Sequence, residues 1–183
     1  DNKIILIDTG NLSDYVDMGE YIVAPYLWSH HVSRIDALFI SHTDRDHLGG
    51  AYHLLEQFPA GVVYVPPGFS DNEEGKAFLV ACEASNSPVQ MLASGNVIEV
   101  GQSSITVLHP SRDGTEYLDD NDRSLVFVLE SGGIRTLFTG DIETKAESMI
   151  FEDAQLDVDV IKVPHHGSRT SSSDIFLDAI NAK

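Results

Sequence analysis

The strand-like segments of this chain are short, and the clearest of them break off into turns rich in aspartate, histidine or glycine. Lys3–Ile7 runs into Asp8-Thr9-Gly10, and Ile35–Ser41 into His42-Thr43-Asp44-Arg45-Asp46-His47. Ile134–Phe138 runs into Thr139-Gly140-Asp141, and Asp157–Val163 into Pro164-His165-His166-Gly167-Ser168. Apolar runs of this length, bounded by such turns, suit strands better than helices. Segments with helical spacing lie between them: residues 21–31 (Ile22, Tyr26, Leu27), 49–58 (Leu54, Leu55, Phe58), 73–84, 143–151 and 173–180, the last opening on a Ser or Asp N-cap. Further strands are expected over 62–65, 97–100, 104–108 and 124–129, and Ser131-Gly132-Gly133 reads as a hairpin turn into 134–138. Strands alternate with helices at both ends, with hairpins between, which predicts an α/β fold of mixed sheets flanked by helices. No repeat or linker interrupts the pattern, so residues 1–183 read as one domain.

Composition narrows the class. With 183 residues, 42% of them hydrophobic, the chain is long enough for a substantial core and too apolar for a disordered acidic tail. It holds no apolar run long enough to span a membrane, and no charged-then-apolar leader opens it. The single cysteine, Cys82, excludes an internal disulfide and a cysteine-based zinc finger, and reads as a buried structural thiol in an apolar helix. Lys+Arg number 11 against 29 Asp+Glu, a formal net charge of −18. Phosphate contacts need cations, so this balance argues against a domain that grips nucleic acid by a basic surface. It fits a metal-binding protein read without its metals, or simply a self-repelling surface.

The four polar turns share one place, the C-terminal ends of strands, where α/β folds bind ligands. Their carboxylates and imidazoles suit divalent metals. His42 and Asp44 are two apart, so an extended backbone points both to one side. Asp46 and His47 are adjacent and converge only if the chain turns, which Gly49-Gly50 makes feasible. The run thus offers two pairs of ligands to two neighbouring metals, and Asp141 could bridge them. Of His165 and His166, one is expected as a ligand, with His165 preferred. The other would hydrogen-bond nearby or face substrate. His109 reads as structural, and His30, His31 and His53 as surface or packing residues. Ser168 and the serines after it could cap a helix or meet a phosphate. Arg45 and Arg169 could pair with phosphate or with a neighbouring carboxylate.

HTDRDH resembles the HxHxDH signature of the metallo-β-lactamase superfamily, with Asp44 in place of the second His, and DTG, TGD and HHGS follow in that superfamily's order. The string SHTDRDHLGG, DNDRSLVF, TGDI and KVPHHGSRTSSS is similar to the C-terminal nuclease-like domain of the ComEC family of DNA-uptake (competence) channel proteins. The resemblance covers nearly the whole chain and implies an αβ/βα sandwich of two mixed sheets. It also implies that strands found at both ends of such domains are missing here, as in a piece of a larger membrane protein. Carried over by motif position, His42, Asp44 and Asn121 would form a first metal site and Asp46, His47 and His165 a second, bridged by Asp141. Asp8 would support a ligand histidine from behind. The oxygen-rich first site favours Mn²⁺ or Mg²⁺ over Zn²⁺, with Zn²⁺ left open and one or two metals per chain.

The resemblance implies a metal-dependent phosphodiesterase, a DNA nuclease acting in natural transformation on the extracytoplasmic face of the cell membrane. Asp46 would orient the attacking water, and His166 or His165 would assist the leaving oxygen. Single-stranded DNA is the expected substrate and the rest of a channel protein the expected partner, with no tight DNA binding by these residues alone. The alternatives are a phosphodiesterase of small-molecule or cell-wall phosphoesters and a degenerate, non-catalytic binding domain.

Overall fold

The computed structural model describes residues 3–113, 118–151 and 156–182. They fall into two compact units, one ending at Met91 and the other beginning at Leu92.

In the first unit, β1 (Ile5–Ile7), β2 (Ala37–Phe39), β3 (Val63–Val65) and β4 (Val89–Met91) form a sheet in that order. Leu6 pairs with Leu38, Leu38 with Val63 and Tyr64 with Gln90, all in parallel. Mixed sheets are expected from the sequence, yet this one is wholly parallel. A parallel neighbour is reached only by a crossover, and every connection here is one. The first carries a π-helical turn (Gly19–Val23) and α1 (Ala24–Ser29), the second α2 (Arg45–Leu48) and α3 (Ala51–Gln57), the third α4 (Glu73–Ala84). The helix expected over 21–31 therefore starts earlier and wider. Pro25 cannot donate a backbone hydrogen bond, and the Ala24 N–H before it reaches back to the Gly19 carbonyl.

β2 and β3 are buried at every residue, without alternation, as central parallel strands are. Ile35, Leu38, Ile40, Leu54, Phe58, Val63 and Phe78 share one core with Cys82, whose thiol is pushed up to about 12 by burial. That is the inert thiol expected from the sequence.

The second unit holds β5 (Val97–Val100), β6 (Ser103–His109), β7 (Val126–Ser131) and β8 (Ile134–Phe138) as an antiparallel meander. Gly132 and Gly133 make the predicted hairpin turn, both at positive φ (59° and 79°), where side chains are disfavoured. α5 (Thr144–Phe151) follows β8. The strand expected over 157–163 is divided at Asp159. β9 (Leu156–Val158) pairs with β11 (Ile180–Ala182), whereas β10 (Val160–Ile161) lies parallel to β8. Asp159 makes the switch. Its N–H donates to the Arg135 carbonyl and its carboxylate accepts the Arg135 N–H. α6 (Asp174–Ala179) is capped by Ser173, as expected, and ends directly in β11. Val126, Val128, Leu137, Ile142, Phe151 and Phe176 build the core of this unit. In the polar segment 112–123, between β6 and β7, residues 114–117 lie outside the described residues.

Candidate metal centre

Each unit carries a set of ligand-type side chains at the C-terminal ends of its strands. In the first unit, Asp8 follows β1 and the His42–His47 run follows β2. Asp8 adopts the left-handed conformation (φ 53°) with its N–H donating to the Phe39 carbonyl. This turns its carboxylate onto the β2 loop. Oδ1 accepts the Ser41 N–H, and Oδ2 accepts the Ser41 hydroxyl and His47 Nδ1, each at 2.8 Å.

The network fixes both tautomers. The lone Ser41 hydroxyl proton goes to Asp8, so Ser41 Oγ accepts from His42 Nδ1 at 3.0 Å. His47 Nδ1 likewise donates to Asp8. In their neutral forms both imidazoles would therefore carry the proton on Nδ1, which makes Nε2 the metal-binding nitrogen. His42 Nε2 is buried and has no hydrogen-bonding partner among the described residues. A carboxylate stands near each of these nitrogens: Asp44 Oδ2 at 3.7 Å from His42 Nε2, and Asp46 Oδ2 at 3.9 Å from His47 Nε2. The turn needed for Asp46 and His47 to converge is α2, one helical turn that begins after Asp44. A segment of four residues gives no periodic signal, which is why the sequence reads as a loop here. Two imidazole nitrogens, each with an exposed carboxylate close by, are a donor set that fits a divalent cation.

In the second unit, Asp141 follows β8 and is almost fully buried. Its N–H donates to Ser124 Oγ. Lys162 Nζ reaches its Oδ1 at 3.2 Å and also donates to the Gly140 carbonyl, while His166 Nε2 stands 3.2 Å from Oδ2. His165 turns elsewhere: its Nδ1 lies 3.0 Å from Glu143 Oε1, which also accepts the Thr170 hydroxyl. The two histidines part because both are left-handed (φ 43° and 50°) in the Pro164–Gly167 turn. Asn121 lies before β7, its carbonyl accepting the Ser124 N–H. The buried neighbour Asp122 accepts the Glu143 and Ala146 N–H groups at the start of α5. Its carboxyl is raised above the usual range by burial. His109 is buried and donates to the Asp122 carbonyl, and burial lowers its pKa, so it is a neutral structural group as expected. Ser168 is engaged with Thr170 inside the turn. Arg45 and Arg169 are exposed.

Sequence reasoning missed Ser41, Ser124, Asp122, Glu143 and Lys162, which hold the ligand-type residues in place. The adjacency of Ser41 to His42 and the place of Lys162 in the KVPHHGS string were the available signals.

Parallel strands whose loops present histidine and aspartate define an α/β protein with the layout of a metal-dependent hydrolase. The family model of the metallo-beta-lactamase superfamily matches residues 1–183, through both units, and the chain belongs to that superfamily. Its α/β fold with two sheets flanked by helices is the superfamily's, and with these donor groups membership implies a divalent metal. Among curated proteins the chain is similar to ComE operon protein 3 of Bacillus subtilis (28% identity, 98% of this chain and 24% of that protein). It is also similar to Recombination protein 2 of Haemophilus influenzae (30%, 97% and 20%) and Competence protein ComA of Neisseria gonorrhoeae (31%, 98% and 23%). The chain thus spans about a quarter or less of the curated relatives it matches. A solved protein from Parabacteroides distasonis shares the fold at a TM-score of 0.52 and 17% identity, over 94% of this chain and 66% of that one. No helix among the described residues is long and apolar enough to cross a membrane.

Proposed function

We propose that this chain is the hydrolytic part of a DNA-uptake protein, a metal-dependent phosphodiesterase with single-stranded DNA as substrate. The observation that carries the reading is the Asp8–Ser41 network, which orients His42 and His47 so that their Nε2 atoms stand near the carboxylates of Asp44 and Asp46, in a chain of which 98% aligns with a competence protein. His42, Asp44, Asp46 and His47 are the proposed ligands of the first unit, Asp141 and His166 those of the second, and the two units act as one catalytic domain. His166 takes the ligand role in place of His165, because it stands at Asp141 while His165 is held by Glu143.

The metal would supply Lewis acidity, polarising the phosphodiester and making water nucleophilic at neutral pH. Asp46 orients that water. His165, braced by Glu143, donates a proton to the leaving oxygen. The carboxylate-rich donors favour Mn²⁺ over Zn²⁺. In this reading the chain works as part of a longer membrane channel protein, on its extracytoplasmic face, and the rest of that protein delivers the DNA.

The test is cleavage of labelled single-stranded DNA with Mn²⁺, with a chelator and with Asp46→Ala as controls. Cleavage that both controls abolish is expected. Absence of cleavage, or cleavage that survives Asp46→Ala, refutes the reading. The net charge of −18 favours a second reading, hydrolysis of small phosphodiesters. Turnover of bis(p-nitrophenyl) phosphate without DNA cleavage would select it.

A further inference from the structure

Away from the strand-end loops, the first unit holds another group of ligand-type side chains. Asp17, Glu20 and His53 each place one ligand atom so that all three lie within 4.8 Å of one another. Asp17 and Glu20 flank the entry to the π-helical turn, where the Glu20 N–H donates to Asp17 Oδ1 at 3.2 Å. His53 projects from α3.

Glycine contact brings these elements together. A Cβ on Gly19 would meet the Gly50 carbonyl oxygen at 2.1 Å, and one on Gly50 would meet the Gly19 nitrogen at 2.6 Å. Only two glycines allow the backbones to approach so closely, and that approach sets His53 beside the two acids. A separate observation points to a ligand. His53 Nε2 is sealed from solvent and has no hydrogen-bonding partner among the described residues. Buried polar atoms in folded proteins are rarely left so.

We propose that Asp17, Glu20 and His53 bind a divalent ion of the zinc class at a structural site distinct from the strand-end ligands. One imidazole with two carboxylates is a donor set that Zn²⁺ accepts, and the imidazole disfavours Ca²⁺ and Mg²⁺. Donors on one zinc ion, each at about 2.0–2.2 Å, lie closer together than the present limit. Glu20 is exposed and long enough to close the difference by changing rotamer. Bound through Nε2, the ion would give that atom the partner it lacks and tie the β1–β2 connection to α3. Gly50 sits at the start of that helix and donates to the Gly10 carbonyl in the turn after Asp8. The site would thus stiffen the support of the His42–His47 run without touching substrate.

The inference does not depend on the hydrolase reading. The experiment is a calorimetric Zn²⁺ titration of the whole chain beside Glu20→Gln and His53→Gln, with thermal unfolding of each with and without Zn²⁺. Zn²⁺ also fills the strand-end ligands, so the site appears as a difference. The wild type should bind one more Zn²⁺ per chain than either variant and gain more thermal stability from the metal. Glu20→Gln alters an exposed side chain, so its metal-free midpoint should match the wild type even if His53→Gln folds poorly. Equal stoichiometry and an equal Zn²⁺-dependent midpoint in Glu20→Gln would overturn the proposal, because the cluster would then be bridged by water alone. Loss of DNA cleavage in the test above, with the stoichiometry difference intact, would sink the nuclease and leave this site standing.

Discussion

Asp8→Asn isolates the role of one carboxylate in preparing a metal ligand. Asparagine tolerates the left-handed backbone at this position nearly as well as aspartate, so the fold of the turn is kept. The hydrogen bonding is not. One side-chain oxygen can still accept the Ser41 N–H, but the other becomes an amide nitrogen facing the Ser41 hydroxyl and His47 Nδ1, both of which donate in the wild type. The contact is relieved if Ser41 turns its proton away and His47 moves its own from Nδ1 to Nε2. A protonated Nε2 cannot bind a metal.

Restoring the productive tautomer then costs the hydrogen bond that the carboxylate made. Hydrogen bonds to charged groups contribute about 1.5–3 kcal/mol, and each 1.4 kcal/mol is about tenfold in affinity. Asp8→Asn should therefore weaken Mn²⁺ or Zn²⁺ binding about 10–100-fold, the range expected for groups that orient a ligand. Calorimetric titration measures it, and ¹⁵N chemical shifts of the His47 ring report the tautomer directly. Asp8→Ala, which removes the carboxylate that three donors share, should lower the metal-free unfolding midpoint more than Asp8→Asn does. Unchanged metal affinity in Asp8→Asn, with His47 still protonated at Nδ1, would refute the reasoning.

Three further outcomes follow from the geometry. His166→Ala should lower metal occupancy of the purified chain, and His165→Ala should leave occupancy intact while reducing turnover; elemental analysis beside a rate assay separates them. Burial holds the His109 pKa below its ordinary 6.5, so the stability this neutral ring contributes is complete above about pH 6.5 and declines as the pH falls and the unfolded chain takes up a proton that the native ring refuses. Urea unfolding from pH 7 to pH 5 should show that decline, flattened in His109→Gln. Gly50→Ala places a Cβ 2.4 Å from the Thr9 carbonyl oxygen and should cost about 1–3 kcal/mol, read from the same urea titration.

The parts of the site that lie along the chain were legible in the sequence. Asp8, the His42–His47 run, Asp141 and the histidine pair each end a short apolar run, and each does follow a strand. What pairing across the chain decides was not. The orientation of the two imidazoles depends on Asp8 reaching Ser41 and His47, contacts made only once β1 lies beside β2. The divergence of His165 and His166 comes from two consecutive left-handed residues, a conformation that no side-chain pattern announces. β4 was invisible because it is only three residues long, too short to carry a periodic signal. The wholly parallel first sheet was misjudged as mixed because the visible hairpin belongs to the other unit.

The acidity of the chain has a structural use that its net charge conceals. Asp36 accepts the Ile4 N–H and pairs with Lys3, which together hold its carboxyl below the usual range. Glu147, fully buried, accepts the Ser172 and Ser173 N–H groups and so anchors the chain after the histidine turn. Asp122 caps the start of α5, and Glu143 ties His165 to Thr170. Asp8 does the same for Ser41 and His47. The loops that carry the proposed strand-end ligands are thus fastened by carboxylates that are not themselves proposed ligands. A loop fastened by charge-assisted bonds to backbone N–H groups is fixed before a cation arrives, so the ligands need little reordering to bind one. These acids would be poor candidates for charge reversal aimed at improving DNA affinity. Lysine at Glu147 or Asp8 would gain a cation and lose the loop that the proposed chemistry needs, whereas the exposed acid Glu99 can be changed without that loss.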